Sequence, residues 1–174
     1  MKTANATELA SPSWPARQIA RLISLCGRIP DSLIALIGRF SIAAVFWLSG
    51  QTKIEGLAIN LVQGEFRLGW PHLSDSALSL FQEEYALPLI PPAWAATLAA
   101  VAEHVLPVLI LTGLATRLSA LGLLGMTLVI QVFVYPGAYP THGVWATVLL
   151  YLIAKGPGRL SIDAWIAARY GRGG

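Results

Sequence analysis

Hydrophobic positions in this chain gather into four blocks, and polar positions gather in the connections and at the two ends. The first block runs from Leu33 to Leu48 (LIALIGRFSIAAVFWL) and can continue helically through Gly50 to Lys53. The second runs from Ala93 to Leu114, the third from Leu118 to Tyr135 and the fourth from His142 to Ala154. A bilayer core about 30 Å thick needs about 20 helical residues. The second block is long enough and the third nearly so, while the first reaches that length only with its polar end included. The fourth is short, and the charges on either side of it predict that it spans. The pattern therefore predicts an all-α, integral membrane four-helix bundle.

Charge sets the expected orientation. Lys2, Arg17, Arg21 and Arg28 precede the first block, Arg117 lies between the second and third, and Lys155, Arg159, Arg169 and Arg172 follow the fourth. The long connection between the first two blocks has only Lys53 and Arg67, against Glu55, Glu65, Asp75, Glu83 and Glu84. The connection PGAYPTHG has no charged residue. Basic residues favour the cytoplasmic side, so both termini are expected there, in the inner membrane of the cell.

The two ends read as helices lying in the headgroup layer, with packing against the bundle end as the other account. Residues 16–28 place Ile19, Leu22, Ile23 and Cys26 on one helical face, with Arg17, Arg21 and Arg28 mostly off it. After Gly156-Pro157-Gly158, Ser161 can cap a helix carrying Ile162, Trp165 and Ile166. The expected organisation is an amphipathic segment over 1–30, the bundle over 31–156 and an interfacial tail over 157–174. Within the long connection, Ser74 can cap a helix in which Leu78, Phe81 and Tyr85 share a face, before Pro88, Pro91 and Pro92 break it. We read this partly helical loop as a lid across the outer mouth of the bundle.

Composition narrows the classes further. Of 174 residues, 55% are apolar and 12% charged, about half the charge of a soluble domain. Mean hydropathy is +0.62. A disordered chain, a nucleic-acid-binding domain and an ordinary soluble enzyme are excluded as leading readings. The single cysteine, Cys26, allows no internal disulfide and no dithiol relay. Residues 1–30 contain no apolar stretch followed by a small-residue cleavage site, so the start of the chain is expected on the mature protein. His72, His104 and His142 have no metal-ligand spacing, and no metal is expected.

Polar residues inside the blocks carry the candidate chemistry, because an ionisable side chain in hydrocarbon needs a partner or a water cavity. Glu103 lies ten residues into the second block, which places it near the midplane. Pro107, four residues on, cannot donate to its carbonyl. Ala96, Ala99 and Ala100 share its side, where a neighbouring helix can approach. Arg39 is the expected partner of Glu103, and Arg39, Phe46, Gly50 and Lys53 share one face of the first helix. Whether such a pair fixes helix packing or handles protons or a ligand stays open. His104 points off the Glu103 face and reads first as a histidine bonded to a backbone carbonyl. Tyr135 and Tyr139 fit an aromatic belt, whereas Gln131 and His142 have no anchoring role and join the candidates.

Three runs of residues resemble a known family: Gly38-Arg39 through Ser49-Gly50 with Lys53; Glu103 followed by Leu111-Thr112-Gly113-Leu114-Ala115-Thr116-Arg117; and Gly156-Pro157-Gly158-Arg159-Leu160-Ser161-Ile162-Asp163. Over about residues 33–163 the chain resembles the DoxX family of small four-helix inner-membrane proteins. Its relatives include a subunit of a thiosulfate:quinone oxidoreductase, and some are linked to redox defence or metal stress. The resemblance implies the fold and the membrane, and more weakly a quinone-linked redox role. It also maps the family's basic residue of helix one and acidic residue of helix two onto Arg39 and Glu103.

Two function classes follow. In the first, the chain is the membrane subunit of a quinone-linked redox system acting in oxidative or metal-stress defence. Arg39 and Glu103 are then the proton-handling residues, and Arg39, Lys53, Glu103, Gln131 and His142 bind the quinone. The chain has no recognisable flavin, haem, iron–sulfur or dithiol motif, so a partner protein would supply the redox centre. In the second class it is a non-catalytic component, a small-solute carrier or an assembly or anchor factor. The expected surroundings are lipid and a protein partner and not nucleic acid, with the oligomeric state, a homo-oligomer included, left open.

Overall fold

The computed structural model describes residues 13–60 and 63–170. Residues up to Pro30 form one compact unit and residues from Asp31 onward a second.

The first unit holds one helix, α1 (Trp14–Cys26), with Pro15 in its first turn, where a missing N–H costs nothing. None of its residues is buried. Ile19, Leu22 and Ile23 are each more than half exposed, the state an interfacial helix needs before lipid covers its apolar side.

In the second unit, α2 (Asp31–Gln51), α4 (Pro92–Thr112), α5 (Thr116–Val129) and α6 (Tyr139–Lys155) form the bundle. A π-helical turn, Ile130–Val134, extends α5. Three of these segments, Asp31–Gln51, Pro92–Thr112 and Thr116–Val134, are long and apolar enough to cross a membrane. At 17 residues α6 is the short member, and it packs along α5 and α2. The ring runs α2, α4, α5, α6 and back to α2.

The helices turn their polar and many of their small residues inward beside a few large apolar ones, and leave most of their large apolar residues outward. On α2 the buried positions are Ala35, Arg39, Ile42, Ala43, Phe46 and Gly50, a single stripe at helical spacing. Its exposed positions include Leu33, Ile37 and Phe40. On α4 the buried stripe is Ala95, Ala96, Ala100, Glu103, Pro107 and Ile110, with Trp94, Leu98, Val101 and Val105 outside. Lipid tails are as apolar as leucine, so close contact between small residues, not exclusion of water, brings these helices together. Gly50 shows how close: a Cβ there would lie 2.8 Å from His104 Cε1 and 3.0 Å from Glu103 Cβ. The main core unites Ile42, Phe46, Ile110, Leu123, Leu149 and Leu152.

We call the end where α2 and α5 begin the base, and the end with the α2–α4 connection the mouth. The connection holds two small antiparallel pairs, β1 (Ile54–Glu55) with β4 (His72–Leu73) and β2 (Ala58–Asn60) with β3 (Glu65–Arg67). Their two- and three-residue strands are too short to show the alternation by which sequence reveals a strand. The loop is tied to α2 through the backbone of Ile59, in the middle of the strand Ala58–Asn60. Trp47 Nε1 donates to Ile59 O at 2.9 Å, and Ile59 N donates to Gln51 Oε1 at 2.7 Å.

The expected lid helix is present as α3 (Asp75–Leu80), continued by a π-helical turn over Phe81–Tyr85. Ser74 caps it as the sequence predicts, its Oγ accepting from Ala77 N at 3.2 Å. Phe81 is buried against Ala95 and Ala96, with Tyr85 and Leu87 packed beside them, so the lid rests on the start of α4.

At the base, the tail is tied into the bundle. Asp163, in the first turn of α7 (Ile162–Tyr170), accepts from the amides of Ala115 at 2.9 Å and Thr116 at 3.1 Å, capping the start of α5. Ser161 Oγ accepts from Ala164 N at 3.1 Å, the expected cap of α7.

Candidate functional site

Glu103 sits where α4 passes the mouth end of α2. Gly50, one residue before α2 ends, packs against it. Lys53, just past that end, is 5% exposed and Glu103 is 3% exposed. Lys53 Nζ lies 2.7 Å from Glu103 Oε2. The ammonium also donates to Ser49 O at 3.2 Å and to Ser49 Oγ at 3.1 Å. Ser49 Oγ donates to Glu103 Oε1 at 3.2 Å. The ammonium thus has three acceptors, and each carboxylate oxygen has one donor and room for a second.

This corrects the expected Arg39–Glu103 pair. Arg39 lies eleven residues before Gly50, about 16 Å along the axis, farther than its side chain reaches. The two side chains also diverge, because side chains lean toward the N-terminus of their own helix and α2 and α4 run antiparallel. Glu103 stays at the middle of α4, as counting from Ala93 predicts, and it is the end of α2, not its middle, that lies beside it. Arg39, 3% exposed, turns toward the base. Its Nη1 donates to Pro157 O at 2.9 Å and Leu160 O at 2.7 Å, and its Nη2 to Leu111 O at 2.8 Å. With its two terminal nitrogens on three carbonyls and its Nε buried without a partner among the described residues, this guanidinium holds backbone together at the base, away from Glu103.

Gln131 and His142 do come together, but with each other. Gln131 Nε2 donates to Pro136 O at 2.6 Å, which leaves Oε1 to accept from His142 Nδ1 at 2.7 Å. The pair pins the π-helical turn to the start of α6, and His142 packs on Trp145 with ring centroids 5.0 Å apart. Neither residue borders the space beside Glu103. His104 behaves as its position predicts. Its Nδ1 donates to Ala100 O at 2.6 Å, so Nε2 accepts from Gln51 Nε2 at 2.8 Å.

A cavity of about 340 Å³ opens beside the Lys53–Glu103 pair, between α4, the end of α5 and the lid. Ser49, Lys53 and Glu103 form its polar corner. Leu98, Met126 and Ile130 line it with hydrocarbon, and Phe81 and Tyr85 close it from the lid. Tyr85 meets Phe81 and Tyr135 edge-on, with centroids 4.7 and 5.8 Å apart. The Tyr135 hydroxyl donates to the Glu84 carboxylate, a latch between the lid and the end of α5. Burial pushes the Tyr85 phenol above its ordinary range, and the bond to Glu84 does the same for Tyr135.

Of the five residues proposed from sequence, the structure places Lys53 and Glu103 at this cavity and the other three elsewhere. Sequence reasoning passed over Ser49 as a site residue, although its i, i+4 spacing from Lys53 is the signal that would have placed it. Tyr85 was read as lid packing and also lines the cavity.

A bundle of apolar helices with an ion pair buried at one end and a lidded cavity beside it defines an integral membrane protein with an internal polar site. The DoxX family model matches residues 34–136, which takes in α2, the lid, α4 and α5. The chain belongs to the DoxX family. No curated protein and no solved structure matches it.

Proposed function

We propose that this protein is the membrane subunit of a quinone-linked redox system, acting in oxidative or metal-stress defence, and that the quinone binds beside Lys53 and Glu103. The observation that carries the reading is the cavity, which joins a hydrocarbon wall to one buried polar corner. Small-molecule sites have this character: mostly apolar, a few hundred Å³, with a small number of placed polar groups. An isoprenoid quinone has a matching division between ring oxygens and tail.

A bound quinone supplies two-electron chemistry coupled to two protons, with the electrons exchanged through a partner protein. The chain's own residues orient and handle the protons. Lys53 has all three of its donors engaged, so the corner offers the spare lone pairs of the Glu103 carboxylate. Such a group accepts a hydrogen bond, and then a proton, from a hydroxyl-bearing ligand. Lys53 stabilises the charged carboxylate before that transfer. Phe81 and Tyr85 limit water, so the exchange occurs in a low dielectric.

The reading is tested by extracting lipid from the purified protein and measuring bound quinone. Wild type should carry quinone, and Glu103→Gln, which keeps the side-chain volume, should insert, carry less and fail to complement a knockout under oxidative stress. Full complementation by a well-expressed Glu103→Gln protein refutes the role of this site. A stoichiometric protein partner without quinone would instead favour the anchor or carrier class. Nine Lys and Arg lie on the segments expected inside, against two in the outward connections. We propose an inner-membrane location with both termini cytoplasmic on that basis. A reporter fused at Gly174 should be active in the cytoplasm and one at Asp75 outside.

A further inference from the structure

The base carries a second site that the quinone reading does not use. A cleft of about 470 Å³ lies where α2 and α5 begin and α6 ends in the Gly156–Pro157–Gly158 loop. Arg117, Lys155 and Arg159 border it, against Asp31 and Asp163. Both carboxylates are already engaged. Asp163 caps α5, and Asp31 pairs with Lys155 at 3.1 Å and accepts from the Tyr151 hydroxyl at 3.2 Å. The guanidiniums of Arg117 and Arg159 have no ion pair or hydrogen bond among the described residues.

Three further features of the cleft point to an anion. The amides of Arg117 and Leu118, next in the first turn of the 14-residue α5, have no acceptor among the described residues. Thr116, on the same wall, is fully buried, and its hydroxyl has no hydrogen-bond partner. The Arg117 guanidinium lies beside the loop, its Nε 3.5 Å from the place a Cβ on Gly156 would occupy. Two forked guanidiniums and two helix-start amides offer donors with no free carboxylate between them, the set that suits phosphate oxygens.

The position selects the source. The cleft lies at the ends of three bundle helices, at headgroup depth in a bilayer. Leu118, 73% exposed, follows Arg117 directly, and Leu121 and Leu128 continue its stripe along α5. Gly125 notches that stripe, with nothing within 4 Å of the place its Cβ would occupy. A phosphate at Arg117 can therefore have its acyl chain beside it on the outer face of α5.

We propose that this cleft binds the phosphate of an anionic membrane lipid through Arg117 and Arg159, with the lipid's acyl chain lying along Leu118, Gly125 and Leu128. Native mass spectrometry of the delipidated full chain in detergent tests it, with phosphatidylglycerol, phosphatidylcholine and inorganic phosphate as probes. Wild type should bind phosphatidylglycerol at least about tenfold more tightly than phosphatidylcholine, a difference of about 1.4 kcal/mol. Arg117→Gln with Arg159→Gln should remove that preference. Arg169→Gln, which deletes a base-side cation lying 5.7 Å over the Trp165 ring, should leave it intact. The paired Arg117→Lys and Arg159→Lys variant keeps the charge and so guards against a folding defect, and should bind several-fold more weakly for want of the fork. Equal binding of the two lipids by wild type overturns the proposal, as does equal loss in the Arg169 variant. Inorganic phosphate competing at the affinity of phosphatidylglycerol overturns the lipid as the source.

Discussion

Consider removing Lys53 and Glu103 separately and then together. Both residues are at least 95% buried and their side chains meet at 2.7 Å. Lys53→Met leaves the carboxylate without its counter-charge, and Glu103→Gln leaves the ammonium without one. Each single change is expected to cost about 3–5 kcal/mol, most of it from the uncompensated charge left behind. The double variant removes both charges and replaces them with groups of similar volume, so much of the loss should return. The coupling should reach about 2 kcal/mol or more, within the range seen for contacting residues. The assay is reversible unfolding in mixed micelles, followed by helical circular dichroism for wild type, both singles and the double. The same cycle with Arg39→Met and Glu103→Gln should be additive to within about 0.5 kcal/mol, because the two do not meet. Additive losses for Lys53 and Glu103, or coupling between Arg39 and Glu103, would refute the register assigned to α2 and α4.

Three further outcomes follow from the contacts. Gly50→Ala places a Cβ 2.8 Å from His104 and should cost about 1–3 kcal/mol by forcing α2 from α4, read as a lowered Tm in detergent. Asp163→Asn weakens the cap on α5, should cost about 0.5–2 kcal/mol, and should speed tryptic cleavage at Arg159 by loosening α7. Tyr135 is held neutral by Glu84, so its folded pKa lies above the ordinary value of about 10. The stability it contributes is complete below that pH and is lost as pH rises through the raised value. Tyrosinate absorbance should therefore show a late-titrating group that disappears in Tyr135→Phe, and an unchanged titration curve in that variant would count against the latch.

The bundle was legible because lipid-facing helices advertise themselves by uninterrupted apolar length. The lid was legible because Ser74 and the prolines after residue 87 punctuate it. The partner of Glu103 was not legible. Counting residues in from each helix end assumes that antiparallel neighbours are level, and here Gly50 sets α4 against the last turn of α2. That close approach decides which cation Glu103 meets, and no periodicity encodes it. Gln131 and His142 were recognised as residues without an anchoring duty, but a sequence does not show that two such residues satisfy each other. The mouth strands escaped notice because two or three residues cannot display a period of two.

The guanidinium of Arg39 also imposes a timetable on synthesis. Its acceptors at Pro157 and Leu160 lie 118 and 121 residues downstream in the chain. At about 5–20 residues per second, roughly 6–24 s pass before those carbonyls emerge. Throughout that interval the earliest bundle helix carries a cation whose final ligands have not been made. The nascent bundle must wait for its last loop before the first helix can settle, and a chain that ends between Lys155 and Leu160 has every bundle helix and an open base.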